Sequence, residues 1–220
     1  MHILDQTVSK RHLLQHPFYQ RWMEGTLTKP ELQRYVENYN PHVEAFPRYV
    51  SAVHAQCESK NIRKALLDNL IEEEHGEENH PELWLRFGEA LSLDRQQTLT
   101  CEKLPAAKKL MDTFLSLTQK SFASGLGALY AYESQVPTIA AQKIKGLKEY
   151  YGITTPRGLQ FFEVHLQADE YHADSEKTAF EMLDEKQKNE ALESVEIATQ
   201  TLWDFLSALD EAQGIQAACN

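Results

Sequence analysis

Three stretches of the chain carry side chains whose types and spacing suit metal-ion chemistry. The first, Glu72-Glu73-Glu74-His75-Gly76-Glu77-Glu78-Asn79-His80, is dense in carboxylates and closes on an imidazole. On a continuous helix turning about 100° per residue, Glu73 and His80 point within roughly 20° of one another, so both could reach one ion. Glu77 shares the face of Glu73, and spacing alone does not choose between them. A solvated acidic face is the ordinary fate of such a run. The second stretch, His165-Leu166-Gln167-Ala168-Asp169-Glu170-Tyr171-His172, places His165, Asp169 and His172 on one stripe if it too is a single helix. Imidazole and carboxylate without thiolate suit iron or manganese, with zinc the chemically permitted rival. The third stretch, Ala131 to Pro137, sets Glu133 in an apolar run, where a carboxylate is costly to bury alone. It wants a cation, or else it faces solvent or pairs with Lys143 or Lys145. Pro137 has no N–H, so the Glu133 carbonyl loses its helical partner and a kink is expected there.

Together Glu73, His80, Glu133, His165, Asp169 and His172 supply three carboxylates and three imidazoles. A two-metal carboxylate cluster in a helical bundle needs such a donor set. The seven-residue gaps differ from ferritin-like Glu-x-x-His pairs and disfavour that topology. Gly125-Leu126-Gly127 opens like a dinucleotide fingerprint, but Tyr130 stands where the third glycine belongs and no strand precedes it. A small-residue helix face that permits close approach is the better reading. Zincin, nucleophile-elbow and phosphate-loop motifs are missing from the sequence.

The elements that must position these residues read as helices. Leu32, Tyr35, Val36, Tyr39, Val43, Phe46 and Val50 recur at three- and four-residue spacing, and Leu192, Val195, Thr199, Leu202, Leu206 and Leu209 do the same. Thr28 with Glu31 forms a capping box, and Gly25 suits the end of a short helix before it. Gly152 followed by Thr155-Pro156 separates two further helices. Leu91 to Pro105 reads as a looser connection with one short helix. No period-2 strand and no internal repeat is found. The expectation is an all-α single domain over residues 1–220, with roughly seven or eight helices, and a flexible tail from roughly residue 212.

Composition narrows the partners. The 220 residues carry 22 Lys+Arg against 33 Asp+Glu, a formal charge of −11 that repels phosphate backbones and anionic headgroups alike. Neither nucleic acid nor a membrane surface is expected as a partner. The longest run without a strongly polar side chain, Gly125 to Tyr132, is far short of the about 20 residues of a membrane span. The start Met1-His2-Ile3-Leu4-Asp5 has no basic n-region or apolar h-region, so a cytoplasmic location is expected. Cys57, Cys101 and Cys219, without a C-x-x-C, read as reduced thiols. A homodimer is the base-rate expectation for assembly.

The segments H-P-F-Y-x-x-W (His16 to Trp22), A-F-P-R-Y (Ala45 to Tyr49), D-N-L-I-E-E-E (Asp68 to Glu74), Y-E-S-Q-V-P (Tyr132 to Pro137) and H-x-x-x-D-x-x-H (His165 to His172) carry a family resemblance. Over nearly its whole length the chain resembles the chlamydial protein associating with death domains and its bacterial relatives. These are haem-oxygenase-like dimetal oxidases akin to the pyrroloquinoline-quinone synthesis protein C and TenA groups. The resemblance implies a seven-helix haem-oxygenase-like bundle and two metal ions, iron with iron or manganese with iron. It implies O₂ and an external reductant as co-substrates, and it assigns the six ligands above, preferring Glu73 over Glu77. It further implies oxygen-dependent formation of p-aminobenzoate for folate synthesis, with the ring drawn from Tyr19 and the amino group from Lys143.

The residues themselves allow this chemistry. A phenol beside an oxygen-activating cluster is an oxidation target, and a lysine becomes nucleophilic when burial lowers its pKa. By sequence alone Tyr19 reads first as an aromatic staple against Phe18 and Trp22, while Tyr35, Tyr39, Tyr130 and Tyr132 are either redox relays or core. Two other readings stand beside this one. The same pocket could oxidise an exogenous small molecule, such as a pyrroloquinoline-like precursor, over many turnovers. Alternatively the chain is a non-enzymatic interaction module, as the family's name and the acidic surface suggest.

Overall fold

Thr28 and Glu31 close a reciprocal cap. The Glu31 N–H donates to Thr28 Oγ1 at 3.4 Å and the Thr28 N–H donates to the Glu31 carboxylate at 2.7 Å. The helix that follows runs 28 residues and buries Leu32, Tyr35, Val36, Tyr39, Val43, Phe46 and Val50, the face that the periodicity predicts. Pro41 and Pro47 lie inside it without ending it. The computed structural model describes residues 2–166 and 168–212, with the backbone alone for residues 168–171.

In chain order the helices are α1 (Ile3–Ser9), α2 (Pro17–Glu24), α3 (Lys29–Gln56), α4 (Lys60–Glu74), α5 (His80–Ala90), α6 (Arg95–Thr100), α7 (Pro105–Lys120), α8 (Phe122–Glu133), α9 (Val136–Glu149), α10 (Pro156–Val164), α11 (Ala168–Glu181) and α12 (Glu185–Glu211). A 3-10 turn at Leu13–Gln15 joins α1 to α2. No strand occurs among the described residues, so the all-α expectation is borne out. The chain is nonetheless cut into more helical segments than seven. Short pieces such as α1, α2 and α6 flank the bundle, and three breaks, at residues 75–79, 134–135 and 165–166, divide what periodicity alone would join.

Several local signals act as expected. Gly25 ends α2 in the left-handed conformation, φ 70°, and a Cβ there would lie 2.3 Å from the Tyr150 ring, so only glycine fits. Thr155 caps α10 and Pro156 fills its first turn. The small-residue face of α8 allows close packing, since a Cβ on Gly127 would stand 2.2 Å from the Ala191 carbonyl oxygen on α12. Around one continuous apolar core, α8 packs on α12, α7 and α11, and α3 packs on α4, α5 and α7.

No described helix is long and apolar enough to cross a membrane. Cys57 and Cys101 are free thiols. Cys219 and the tail expected to be flexible lie, from residue 213 on, outside the described residues.

Candidate metal centre

Glu73 and His80 do meet, though not as neighbours on one helix. Helix α4 stops at Glu74, the chain turns through Gly76 (φ 86°), and Asn79 starts α5 by accepting the Glu82 N–H at 3.0 Å. Glu73 therefore closes one helix and His80 opens the next, with His80 Nδ1 2.8 Å from Glu73 Oε2. The single-helix geometry expected from spacing is corrected to helix, loop, helix. The same turn separates Glu73 from Glu77. Glu73 is buried, whereas Glu77 stands exposed in the loop.

The stretch from His165 to His172 is likewise broken. His165 is the C-cap of α10, and His172 lies one turn into α11. The Nδ1–H of His165 donates to the Phe161 carbonyl, which fixes the ring and leaves Nε2 for an ion. Its ring centroid is 4.4 Å from that of His80. Glu73, His80 and His165 each offer a ligand atom, all within 4.8 Å of one another, and all three residues are buried.

Glu133 is the last residue of α8 and 1% exposed. The break expected at Pro137 is present: the Gln135 N–H donates to the Tyr132 carbonyl, and α9 restarts at Val136. Its carboxylate accepts from Asn69 Nδ2 at 2.7 Å and lies 4.0 Å from His172 Nδ1. Of the two lysines considered as partners from the sequence, Lys143 reaches Tyr35 instead and Lys145 is exposed. His172 is buried, with Glu72 3.5 Å from its Nε2. Asp169 lies on α11, and its side chain is outside the described residues.

Sequence reasoning missed two buried polar groups, Asn69 and Glu176. Each lies four residues from a predicted ligand, Glu73 and His172 respectively, and that i, i+4 register was the available signal. Glu176 lies beside Glu133 and draws its carboxyl pKa down against the rise from burial.

The electrostatics fit a cation. Burial pushes the Glu73 carboxyl up to about 7, against the pull of His165 and His172, and burial raises Glu133 as well. Carboxylates and imidazoles collected in a water-poor interior are costly without a positive charge. Their oxygen and nitrogen donors suit iron or manganese.

Next to this cluster lies the other predicted pair. Tyr19 on α2 is 4% exposed and packs on Phe18 and Trp22, as a staple would. Its hydroxyl is 3.2 Å from that of Tyr35. Lys143 on α9 is 6% exposed, and its Nζ sits 5.0 Å from the centroid of the Tyr19 ring. Burial lowers the lysine pKa to about 7 and raises that of both phenols, so the phenols stay neutral. The Trp22 indole N–H donates to the Lys143 carbonyl at 3.3 Å and holds α9 against α2. Tyr19, Lys143 and His165 line one cavity together with Tyr39, Tyr132 and Phe161. Tyr130 points elsewhere, to Asp5.

The chain matches, over residues 33–203, the model of a family described as iron-containing redox enzyme. It is 43% identical over 209 residues to the 4-aminobenzoate synthase of Chlamydia muridarum (strain MoPn / Nigg), covering 94% of this chain and 89% of that one. It is 26% identical to the pyrroloquinoline-quinone synthase of Klebsiella pneumoniae, covering 92% and 83%. Among solved structures, a domain with a heme oxygenase-like fold from Shewanella denitrificans superposes with a TM-score of 0.80 at 19% identity, covering 98% and 94%.

Proposed function

The chain belongs to the family of iron-containing redox enzymes, and on that premise we propose that it forms 4-aminobenzoate in an oxygen-dependent reaction, with Tyr19 as the ring source and Lys143 as the nitrogen source. The observation that carries this reading is the approach of the buried Lys143 amine to within 5.0 Å of the Tyr19 ring, in a cavity that His165 also lines.

The product's atoms fit the pair. 4-Aminobenzoate is a benzene ring with nitrogen at one end and a one-carbon carboxylate at the other. A tyrosine ring has oxygen at one end and Cβ opposite, so the ring and the carboxyl carbon are already joined. What must happen is replacement of the ring C–O bond by C–N with cleavage of the Lys143 Cε–Nζ bond, and oxidation of Cβ to a carboxylate with cleavage of the Tyr19 Cα–Cβ bond, for which O₂ is the oxidant and the source of carboxylate oxygen. Lys143, with a pKa of about 7, offers a large neutral fraction near neutrality, and only the neutral amine is nucleophilic. Val136, Ile139 and Phe162 line the same cavity and limit water around the amine.

Glu73, His80, Glu133, His165, Asp169 and His172 would hold two metal ions, iron with iron or manganese with iron. Such ions would supply the electrons that reduce O₂, replenished by an external reductant. The carboxylates of Glu73 and Glu133 offset the cations' charge in a buried site, and the Phe161 carbonyl orients His165. A protein that spends its own tyrosine and lysine acts once.

Intact mass before and after addition of iron, reductant and O₂ tests this reading. The expected result is a loss of mass mapping to Tyr19 and Lys143. Unchanged residues alongside many turnovers on an added small molecule would overturn the self-sacrifice and leave an ordinary oxygenase. That second reading has weaker support, since the pyrroloquinoline-quinone synthase relative is only 26% identical. A non-enzymatic interaction module has no use for donors exposed by 5% or less, as Glu73, His80, Glu133, His165 and His172 are.

A further inference from the structure

Glu176 is a buried carboxylate to which the six-ligand set gives no role. It stands on α11, four residues after His172, and is 3% exposed. Residues at this spacing share a helix face. Its carboxyl lies beside that of Glu133 on α8 and draws the Glu133 pKa down against the rise from burial, and Glu133 Oε1 is itself 4.0 Å from His172 Nδ1. Asn69, the hydrogen-bond donor to Glu133, lines a cavity with His172 and Glu176, whose remaining wall includes Ile62, Leu66 and Leu126. A carboxylate gains nothing by packing among such apolar groups, and burying its charge costs several kcal/mol unless it is compensated.

We propose that Glu176 is a seventh donor of the metal centre, serving the ion that Glu133 and His172 hold. This rests on the two-ion reading above. The described donors fall into two groups. Glu73, His80 and His165 converge from α4, α5 and the end of α10, one carboxylate with two imidazoles. Glu133 on α8 approaches His172 on α11 to 4.0 Å, and Glu176, one turn further along α11, lies beside Glu133, two carboxylates with one imidazole. Glu176 would add a carboxylate to the position that Glu133 and His172 face. Charge gives an independent reason. Two divalent ions bring four positive charges, while Glu73, Glu133 and Asp169 bring three negative ones. Glu176 makes the buried centre neutral, which a low-dielectric interior favours.

The test uses the full chain, stripped of metal and titrated with ferrous ion without oxygen. Bound iron per chain is measured after desalting, for wild type, Glu176→Gln, Glu176→Leu and Glu176→Asp. The expected result is near two ions for wild type and a fall toward one for Gln and Leu, with the second ion bound at least tenfold more weakly and partly restored by Asp. Melting of the metal-free proteins reports folding, and Glu176→Gln, nearly isosteric, carries the test if the Leu variant does not fold. Wild-type affinity for the second ion in Glu176→Gln would overturn the proposal while leaving two ions in place. A wild type that holds a single ion, unchanged in all three variants, would overturn both this proposal and the two-ion reading.

Discussion

The Lys143 amine donates to the Tyr35 hydroxyl at 2.6 Å, and the Tyr35 hydroxyl is 3.2 Å from that of Tyr19. One phenol thus holds the amine and touches the ring that the amine is proposed to join. Tyr35→Phe removes both contacts and leaves a buried amine unsatisfied. The expected outcome is a loss of about 1–3 kcal/mol in urea unfolding and a lower yield of 4-aminobenzoate.

Lys143 also makes stability depend on pH. Its pKa is lowered by burial from 10.5 to about 7, so the folded state releases the proton that the unfolded chain keeps. As pH falls from 10.5 to 7 the unfolded state gains, and wild type loses about 1.4 kcal/mol per pH unit on this account. Below about 7 both states are protonated and the loss is constant. Lys143→Met escapes the penalty. Its advantage over wild type should shrink as pH rises from 7 toward 10.5, a trend that urea unfolding of the metal-free proteins would follow. A gap that does not change with pH would contradict the burial of a neutral amine. Product yield in wild type should rise with pH through about 7, as the neutral amine accumulates.

Glu73 behaves in the opposite sense. Burial raises its pKa from 4.5 to about 7, so the folded metal-free protein prefers the protonated acid. Its contribution is fully favourable below pH 4.5 and is lost as pH climbs through 7. Glu73→Gln should therefore melt at a higher temperature than wild type when both are metal-free at pH 8, yet bind less iron. Thermal melting and elemental analysis of the same samples separate the two effects.

Tyr19→Phe keeps the ring and its packing but removes the oxygen at which nitrogen is proposed to enter. We expect a fold changed by no more than about 1 kcal/mol and no 4-aminobenzoate. In wild type expressed with ring-labelled tyrosine, the product should carry the label.

The contact of α8 with α12 supports the centre from a distance. Gly127→Ala would place a methyl 2.2 Å from the Ala191 carbonyl oxygen, which forces the helices apart. Overpacking of this kind costs about 1–3 kcal/mol. Because Glu133 ends α8, a lower melting temperature should be accompanied by reduced iron loading.

Much of the fold was legible in the sequence because its signals are local. Thr28 with Glu31, Gly25, Thr155 with Pro156, and Pro137 each act on backbone groups within a few residues, and each ends or starts a helix where expected. The types of the candidate ligands were legible too. The route by which Glu73 meets His80 was not, because a periodicity argument presumes an unbroken helix. Gly76, Asn79 and Pro81 marked the break, and the carboxylate run hid it. Between His165 and Ala168 no glycine or proline marks a break at all.

The sequence by itself determined an all-helical chain, its main helix ends and a donor chemistry of carboxylate and imidazole. Tertiary structure alone decided which carboxylates are inside: Glu73 and not Glu77, and Glu176 in addition. It also brought the Lys143 amine from α9 to the Tyr19 ring on α2. The physical reason is that backbone capping acts over a few residues. Burial and the meeting of side chains depend on which helix faces pack together across the bundle.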